Sequence, residues 1–488
     1  MGCSMNRRKS FALLPFLVAF SLGSCSGLPK GTCTVNCVGG NATVSVSISD
    51  APPANTAIMS FTLPILGVTL TPSGGGSAVS VLSSAANFEL TRLQSDSALV
   101  ATNVSVAAGS YTAVNVTVAA PSAALFNGSG AAIGSCAAGA VCALQGKAAT
   151  VTFSFPTGSP LVLTADQNQW LGLDFNYSNA IVSTSSSVSV DVTQSNVLTA
   201  LTTPLTGVPA GDFANIDDFT GAVTALAGSS ITIKSTARGS LTASITSTIP
   251  VNDPQSQCSG GGTLSCIKMG SIVSLQGVLT STGAVNGTEL DIIDASTSPP
   301  DEAEGTIYAN TSCASGFGMI LSDSSITSSS PLATAGYGSN ICLTLSPTVT
   351  FAIDDGILTN QGVPIAGFSS SGDLFAGQTV RAKITNAVSG TNIINATAST
   401  CILRFSRLTA TVSSVTGPTF AIKGLPIYFA STPTTTPVVQ TYTNATIFEG
   451  VSGGNTAGLT TGPVSISALF LNPRTSQQPF QAAKVRVP

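Results

Sequence analysis

At 488 residues the chain is long enough for three or four domains, yet only 8% of it is charged and its formal net charge is −4. So few basic residues, scattered along the chain, exclude a nucleic-acid footprint. There is no histidine. That removes Ser-His-Asp and Cys-His catalysis in their usual forms together with the commonest zinc ligand, leaves only carboxylate or Ser-Lys chemistry to an enzyme, and calls for no cofactor. The expectation is a non-enzymatic protein.

The chain opens with Arg7-Arg8-Lys9, an apolar run from Phe11 to Phe20, and Leu22-Gly23-Ser24-Cys25. The apolar run is too short to span a bilayer, which takes about 20 residues, and its basic flank and small-residue exit read as a cleaved export signal over 1–24. A plain secretory signal would end in an Ala-x-Ala-like site, whereas here the small pair is followed directly by cysteine. The segment resembles the lipobox of bacterial lipoproteins. That resemblance implies cleavage before Cys25, a diacylglycerol on its thiol, and an exported protein held in the cell envelope, at the outer membrane, by lipid rather than by a helix. Two or more acyl chains give stable anchoring where one holds weakly. Met1-Gly2-Cys3 is not a myristoylation signal, because position 6 is Asn6.

In an exported chain the remaining cysteines read as disulfide candidates. Cys33 with Cys37, Cys136 with Cys142, and Cys258 with Cys266 are close enough to close locally. Cys313, Cys342 and Cys401 leave one thiol over, with the pair undetermined. No pair has the two-residue spacing of a zinc knuckle.

After a tether over 25–41, T-V-S-V-S-I-S puts Val44, Val46 and Ile48 on one face of a strand and serines on the other, and Asp50-Ala51-Pro52-Pro53 ends it. Ile58 to Leu70 reads as a strand pair, Gly74-Gly75-Gly76 as a hairpin loop, and Val114-Val116-Val118 as an alternating strand. Further strands are expected at Ala149 to Phe155, Leu161 to Leu163, Trp170 to Phe175 and Val188 to Val192. Many short strands without a long helix indicate an all-β chain and, over 42–201, a β-sandwich. The S-D-A-P-P ending of the first strand, the L-T-R-L segment, A-G-S-Y-T-A-V-N-V and L-G-L-D-F-N resemble a lipoprotein family known as domain of unknown function 4382. The resemblance implies a transthyretin-like or carboxypeptidase-regulatory-like sandwich and no assigned activity.

Pro204, Gly207, Pro209 and Gly211 mark a linker over 202–214. Beyond it, an opening hairpin recurs from Asp217, Glu302 and Leu403. A second signature recurs as M-G-S-I-V-S-L-Q-G from Met269, A-G-Q-T-V-R-A-K-I from Ala376 and T-G-P-V-S-I-S-A-L from Thr461, each followed by a closing strand. The long period indicates three tandem β-modules, 215–297, 298–402 and 403–488, rather than a solenoid. These modules resemble the domain of unknown function 5666 family, which implies small OB-like β-barrels.

An exposed aromatic platform would suit a glycan, and Trp170, with Tyr177 and Tyr111 behind it, is the candidate; a lone Trp in an alternating strand is more often core. Asp217-Asp218, Asp301-Glu302-Glu304 and Asp354-Asp355 read as solvated turns at module boundaries, with calcium as the sharper alternative. Asp166 and Asp174 fall on different elements and lack a third group for glycoside chemistry. The reading is a lipid-anchored envelope lipoprotein with a structural or adhesion-like role and an envelope protein or polysaccharide as partner, the alternative being a surface glycan-binding protein.

Overall fold

The structure is a computed structural model that describes residues 40–50, 57–82, 84–184, 187–204, 215–310, 313, 315–326, 330–360, 362, 365–390, 393–429, 436–473 and 478–487. Cys25, Cys33 and Cys37 lie outside the described residues, so the lipid site and the first local cysteine pair do as well.

The fold is all-β. In the N-terminal sandwich, one sheet places Leu198–Pro204, Asn168–Phe175, Asn41–Ser49 and Ser97–Ala107 side by side. Asn41–Ser49 runs parallel to Asn168–Phe175 and antiparallel to Ser97–Ala107. The facing sheet runs Leu161–Leu163, Gly109–Val118, Ile58–Pro72, Ser122–Phe126, Val141–Gln145. Val44, Val46 and Ile48 enter the core between them with Phe61, Leu63, Ile65, Val116 and Leu173.

One expectation changes here. Ile58–Pro72 is one strand of 15 residues, not a pair. It pairs with Ser122–Phe126 at its start and Gly109–Val118 at its end, and the register shift between Ile65 and Gly67 bends it from one neighbour to the other. Beyond the predicted alternation, the serine face of the first strand is also buried, with Ser45, Ser47 and Ser49 all inside. Each hydroxyl finds a partner, as buried polar groups must. Ser45 accepts from the Asn103 backbone N–H, Ser47 accepts from the Trp170 indole at 2.9 Å, and Ser49 donates to Asp174.

That face is covered because the sheet continues into the first barrel through the bridge between Ser97 and Ile216. This barrel joins Asn215–Ala227, Ser230–Ser235, Gly239–Ser244, Val285–Asp294 and Ile272–Leu279 in a closed ring. All neighbours are antiparallel except the third and fifth strands in chain order, which are parallel. The same ring, with the same parallel closure, recurs in Asp301–Ala309, Phe317–Ser325, Asn340–Ile353, Thr379–Ser389 and Ile394–Arg404. It recurs again in Ser406–Thr416, Thr419–Lys423, Val438–Gln440, Gly462–Phe470 and Phe480–Arg486. This is the connectivity of a five-stranded Greek-key barrel.

The glycine of the recurring opening strand has a steric reason. A Cβ at Gly221 would lie 2.2 Å from the Lys234 carbonyl oxygen, and one at Gly305 would lie 2.1 Å from that of Ile320. The strand crosses its hairpin partner too closely for a side chain.

Disulfides join Cys136 to Cys142, Cys258 to Cys266 and Cys313 to Cys342, leaving Cys401 free and buried among the described residues. The last bridge closes the longest loop, 29 residues in sequence. Chain-entropy reasoning gives it about 3–4 kcal/mol, so replacing both Cys313 and Cys342 with Ser should lower the unfolding free energy by about that amount in a denaturant titration.

Candidate functional site: a buried charge cluster where the modules meet

The few charges of this chain are concentrated inside it. Arg92 sits in the short 3-10 turn Leu90–Leu93, which caps on the Glu89 carboxylate. From there its guanidinium reaches Glu304 of the second barrel at 2.6 Å and Asp218 of the first at 3.1 Å. Asp218 lies where the opening strand slips register between Ile216 and Phe219, with φ of +29°. That bulge turns its carboxylate toward the neighbouring modules. Besides Arg92 it meets Arg407 at 2.5 Å and Arg404 at 3.3 Å. One aspartate therefore gathers guanidinium groups from the sandwich and from the second and third barrels. Burial raises the Asp218 carboxyl, but Arg404, Arg407 and Arg92 outweigh it and hold the group far below the usual carboxylate range.

Arg381 is the centre of the second barrel's share and is fully buried. It donates to Glu302 at 2.8 Å, Glu304 at 3.2 Å, Asp323 at 3.3 Å and the Ser325 hydroxyl at 2.8 Å. The antiparallel register explains the match. Glu302 lies opposite Lys383 and Glu304 opposite Arg381, so alternating acids on one strand face alternating bases on the next. Lys383 in turn reaches Asp294 of the first barrel at 2.6 Å. Arg404 contacts Asp354, Asp291 and Glu304 as well as Asp218. Burial raises Glu304, but Arg92, Arg404 and Arg381 pull it down to about 2.

A second focus lies nearby. Lys484 bridges Asp96 of the sandwich at 2.7 Å and Glu449 at 2.8 Å, and Asn215 donates to Glu449 at 3.0 Å. Beside it a cleft of about 330 Å³ opens where the sandwich meets the three barrels, lined by Asp96, Glu289, Lys484, Ile357, Phe405 and Ile447 among others. Glu289 and Asp291 form a carboxyl pair there, both accepting from the Asn252 amide at 2.5 and 2.7 Å. Burial and the neighbouring Asp291 push Glu289 up to about 9, and burial pushes Asp291 up to about 6.

These positions correct several expectations. Asp218, Asp301, Glu302, Glu304 and Asp354 are buried, not solvated turn residues. Asp218, Asp301, Glu302 and Glu304 lie in strands, and these carboxylates face neighbouring strands and modules instead of water. Their counter-ions are side chains, and among the described residues no group of three or more His, Cys, Asp and Glu could hold a metal ion. The side chain of Asp217 is outside the described set. Trp170 is 3% exposed and packs with the first barrel's core, so its ring offers no glycan platform. Tyr177 and Tyr111 are buried as well. Asp166 and Asp174 stay on separate elements.

Arg92, Arg381, Lys383, Arg404 and Arg407 fall inside the L-T-R-L, A-G-Q-T-V-R-A-K-I and Leu403 hairpin segments, but those segments mark strands and turns and do not say which acids the bases meet. Lys484 lies in no such segment. The signal that could have found some of them is charge alternation within strands, E-A-E against R-A-K.

Among known families, the one described as Domain of unknown function (DUF4382) matches residues 41–193. No curated protein matches the chain. Among solved structures, the drosophila Unr CSD456 chain is similar at 8% identity, covering 55% of this chain and 95% of that one, with a TM-score of 0.13. A likeness at that level carries no argument about fold or role.

Proposed function

We propose that the chain is an exported, lipid-anchored envelope lipoprotein with a non-enzymatic structural or adhesion-like role, tethered through Cys25 and displaying a sandwich and three barrels as one rigid body. The tether rests on the Leu22-Gly23-Ser24-Cys25 segment. The rigid-body role rests on one observation: Asp218 is shared by Arg92, Arg404 and Arg407 from three other modules. Buried charges lose their hydration and are kept only when closely paired, so each module holds charges that the others pair. Separating the modules would break close hydrogen-bonded ion pairs of the sandwich with the first and third barrels and of the first barrel with the second and third. Inter-domain motion, the default for modules joined by small polar interfaces, is opposed here. In this reading the ionisable groups serve cohesion, and the partner, an envelope protein or polysaccharide, meets an outer surface dominated by hydroxyl and amide groups.

Membrane fractions from a bacterial host making the full chain test the tether. Mass spectrometry should find an N-terminal peptide that begins at Cys25 and carries acyl chains, and Cys25→Ala should release the protein from the membrane. A wild-type N-terminus that is unacylated, or that starts elsewhere, refutes the anchor.

The cleft favours the alternative of a surface glycan-binding protein, because it combines apolar walls with polar groups in the size range of ligand pockets. A glycan array distinguishes the two readings: binding that is specific and lost in Phe405→Ala supports the glycan reading, and none supports the structural one.

A further inference from the structure

Lys484, Asp96 and Glu449 form a set that ion pairing alone does not require. Lys484 lies in the closing strand of the third barrel. Glu449 ends the strand Ile447–Glu449, which runs parallel beside it. Asp96 immediately precedes the sandwich strand Ser97–Ala107. The side chains of Lys484, Asp96 and Glu449 are 7%, 11% and 3% exposed. A primary amine is thus held against one carboxyl group at 2.7 Å, with a second at 2.8 Å on the same nitrogen. Holding an amine and a carboxyl in contact inside a largely dry site turns a slow bimolecular condensation into an intramolecular one. A third group that touches the nitrogen can move the protons the reaction requires.

We propose that Lys484 and Asp96 condense into an intramolecular isopeptide bond, with Glu449 as the proton-transfer group, joining the third barrel covalently to the sandwich. The Lys484 ammonium passes one proton to the Asp96 carboxylate, leaving an amine and a carboxylic acid. The amine lone pair attacks Asp96 Cγ and the N–C bond forms. Glu449 takes the next proton from the nitrogen and returns it to a hydroxyl oxygen of the tetrahedral centre. The C–O bond then breaks and one water leaves. Ammonium and carboxylate become amide and water, Glu449 ends as it began, and neither oxidant nor external nucleophile enters.

The surroundings suit this division of roles. Burial raises Glu449, against the pull of Lys484, to about 7, where a carboxyl both accepts and gives protons at neutral pH. Burial favours the neutral amine and neutral acid. Against it, Lys484 and Arg407, whose Nε lies 3.8 Å from the other Asp96 oxygen, hold Asp96 below its ordinary value, and Asp96 and Glu449 hold Lys484 above its own, so the neutral pair is the minor species. The reactive species is thus reached by a proton shift within the triad. Lys383 and Asp294, 2.6 Å apart, supply an internal comparison. The carboxylate opposite Lys383, that of Glu302, accepts from Arg381, which occupies it as an ion partner. One link is therefore expected, not two.

Tryptic mass spectrometry of the purified, thiol-reduced full chain tests the assignment. The expected result is a branched peptide joining segments 93–147 and 475–486, about 18 Da lighter than their sum, with no cleavage after Lys484. Lys484→Ala and Glu449→Gln should each yield the unlinked 93–147 peptide. Asp96→Asn should link with loss of ammonia instead of water and give a branched peptide of the wild-type mass. A wild-type chain cut after Lys484, with both peptides at full mass, overturns the proposal. So does a branched species that persists in Lys484→Ala.

Discussion

Arg381→Ala should lower the unfolding free energy by about 3–5 kcal/mol, the cost of removing one partner of a buried ionic cluster. The wild-type guanidinium neutralises Glu302, Glu304 and Asp323 and also satisfies the Ser325 hydroxyl. Alanine takes this guanidinium from Glu302 and Asp323 and leaves Glu304 to Arg92 and Arg404 alone. Arg381→Lys should recover only part of the loss, because an ammonium cannot span the positions that the planar fork reaches. Arg381→Met tests the cause. It restores volume without charge, so a variant as damaged as Arg381→Ala assigns the loss to unpaired carboxylates, whereas full recovery would assign it to packing. Equilibrium denaturation with urea, read at constant m-value, gives these differences directly.

Glu289→Gln should act in the opposite direction, stabilising the protein by roughly 2–4 kcal/mol at pH 7. Burial and Asp291 raise the Glu289 carboxyl to about 9 from its ordinary 4.5. A raised carboxyl contributes its stability fully below pH 4.5 and loses it as pH rises toward 9, because the unfolded chain ionises first. Glutamine keeps an oxygen for the Asn252 amide and removes the proton that the fold must retain. The gain should therefore grow from pH 4.5 to 9 and vanish at pH 4. A variant less stable than wild type across that range would show that the carboxyl is needed in its own right. Glu304 imposes the reverse dependence. Held at about 2 by its three arginines, it contributes stability above pH 4.5 that is lost as pH falls toward 2. The two slopes together place the wild-type stability maximum in mildly acidic solution.

The architecture was legible because it is written in local periodicity. Val44, Val46 and Ile48 alternate as a strand with one apolar face should, and the glycines before Ile272 and Thr379 mark the same joint in successive barrels, with φ of +91° and +98°. The charge cluster was not legible, since its partners lie far apart in the chain. Arg92 and Glu304 are separated by 212 residues and Lys484 and Asp96 by 388. Acidic residues near turns are usually wet, and only the packing of one module on the next reverses that. The burial of Ser45, Ser47 and Ser49 has the same origin. A serine face reads as solvated until another sheet covers it.

Drawing the charges inward also determines how the protein is met from outside. Lys147, Lys234, Lys268 and Lys423 are among the few ionic groups left on the described surface. An exterior so nearly neutral casts little field into solution, so a partner arrives by undirected diffusion, in the range of about 10⁵–10⁶ M⁻¹s⁻¹ typical of unsteered encounters. Added salt has little to screen there, and the pairs at the module junction are shielded from it by the barrels. The molecule should keep both its cohesion and its contacts as the ionic strength around it rises and falls.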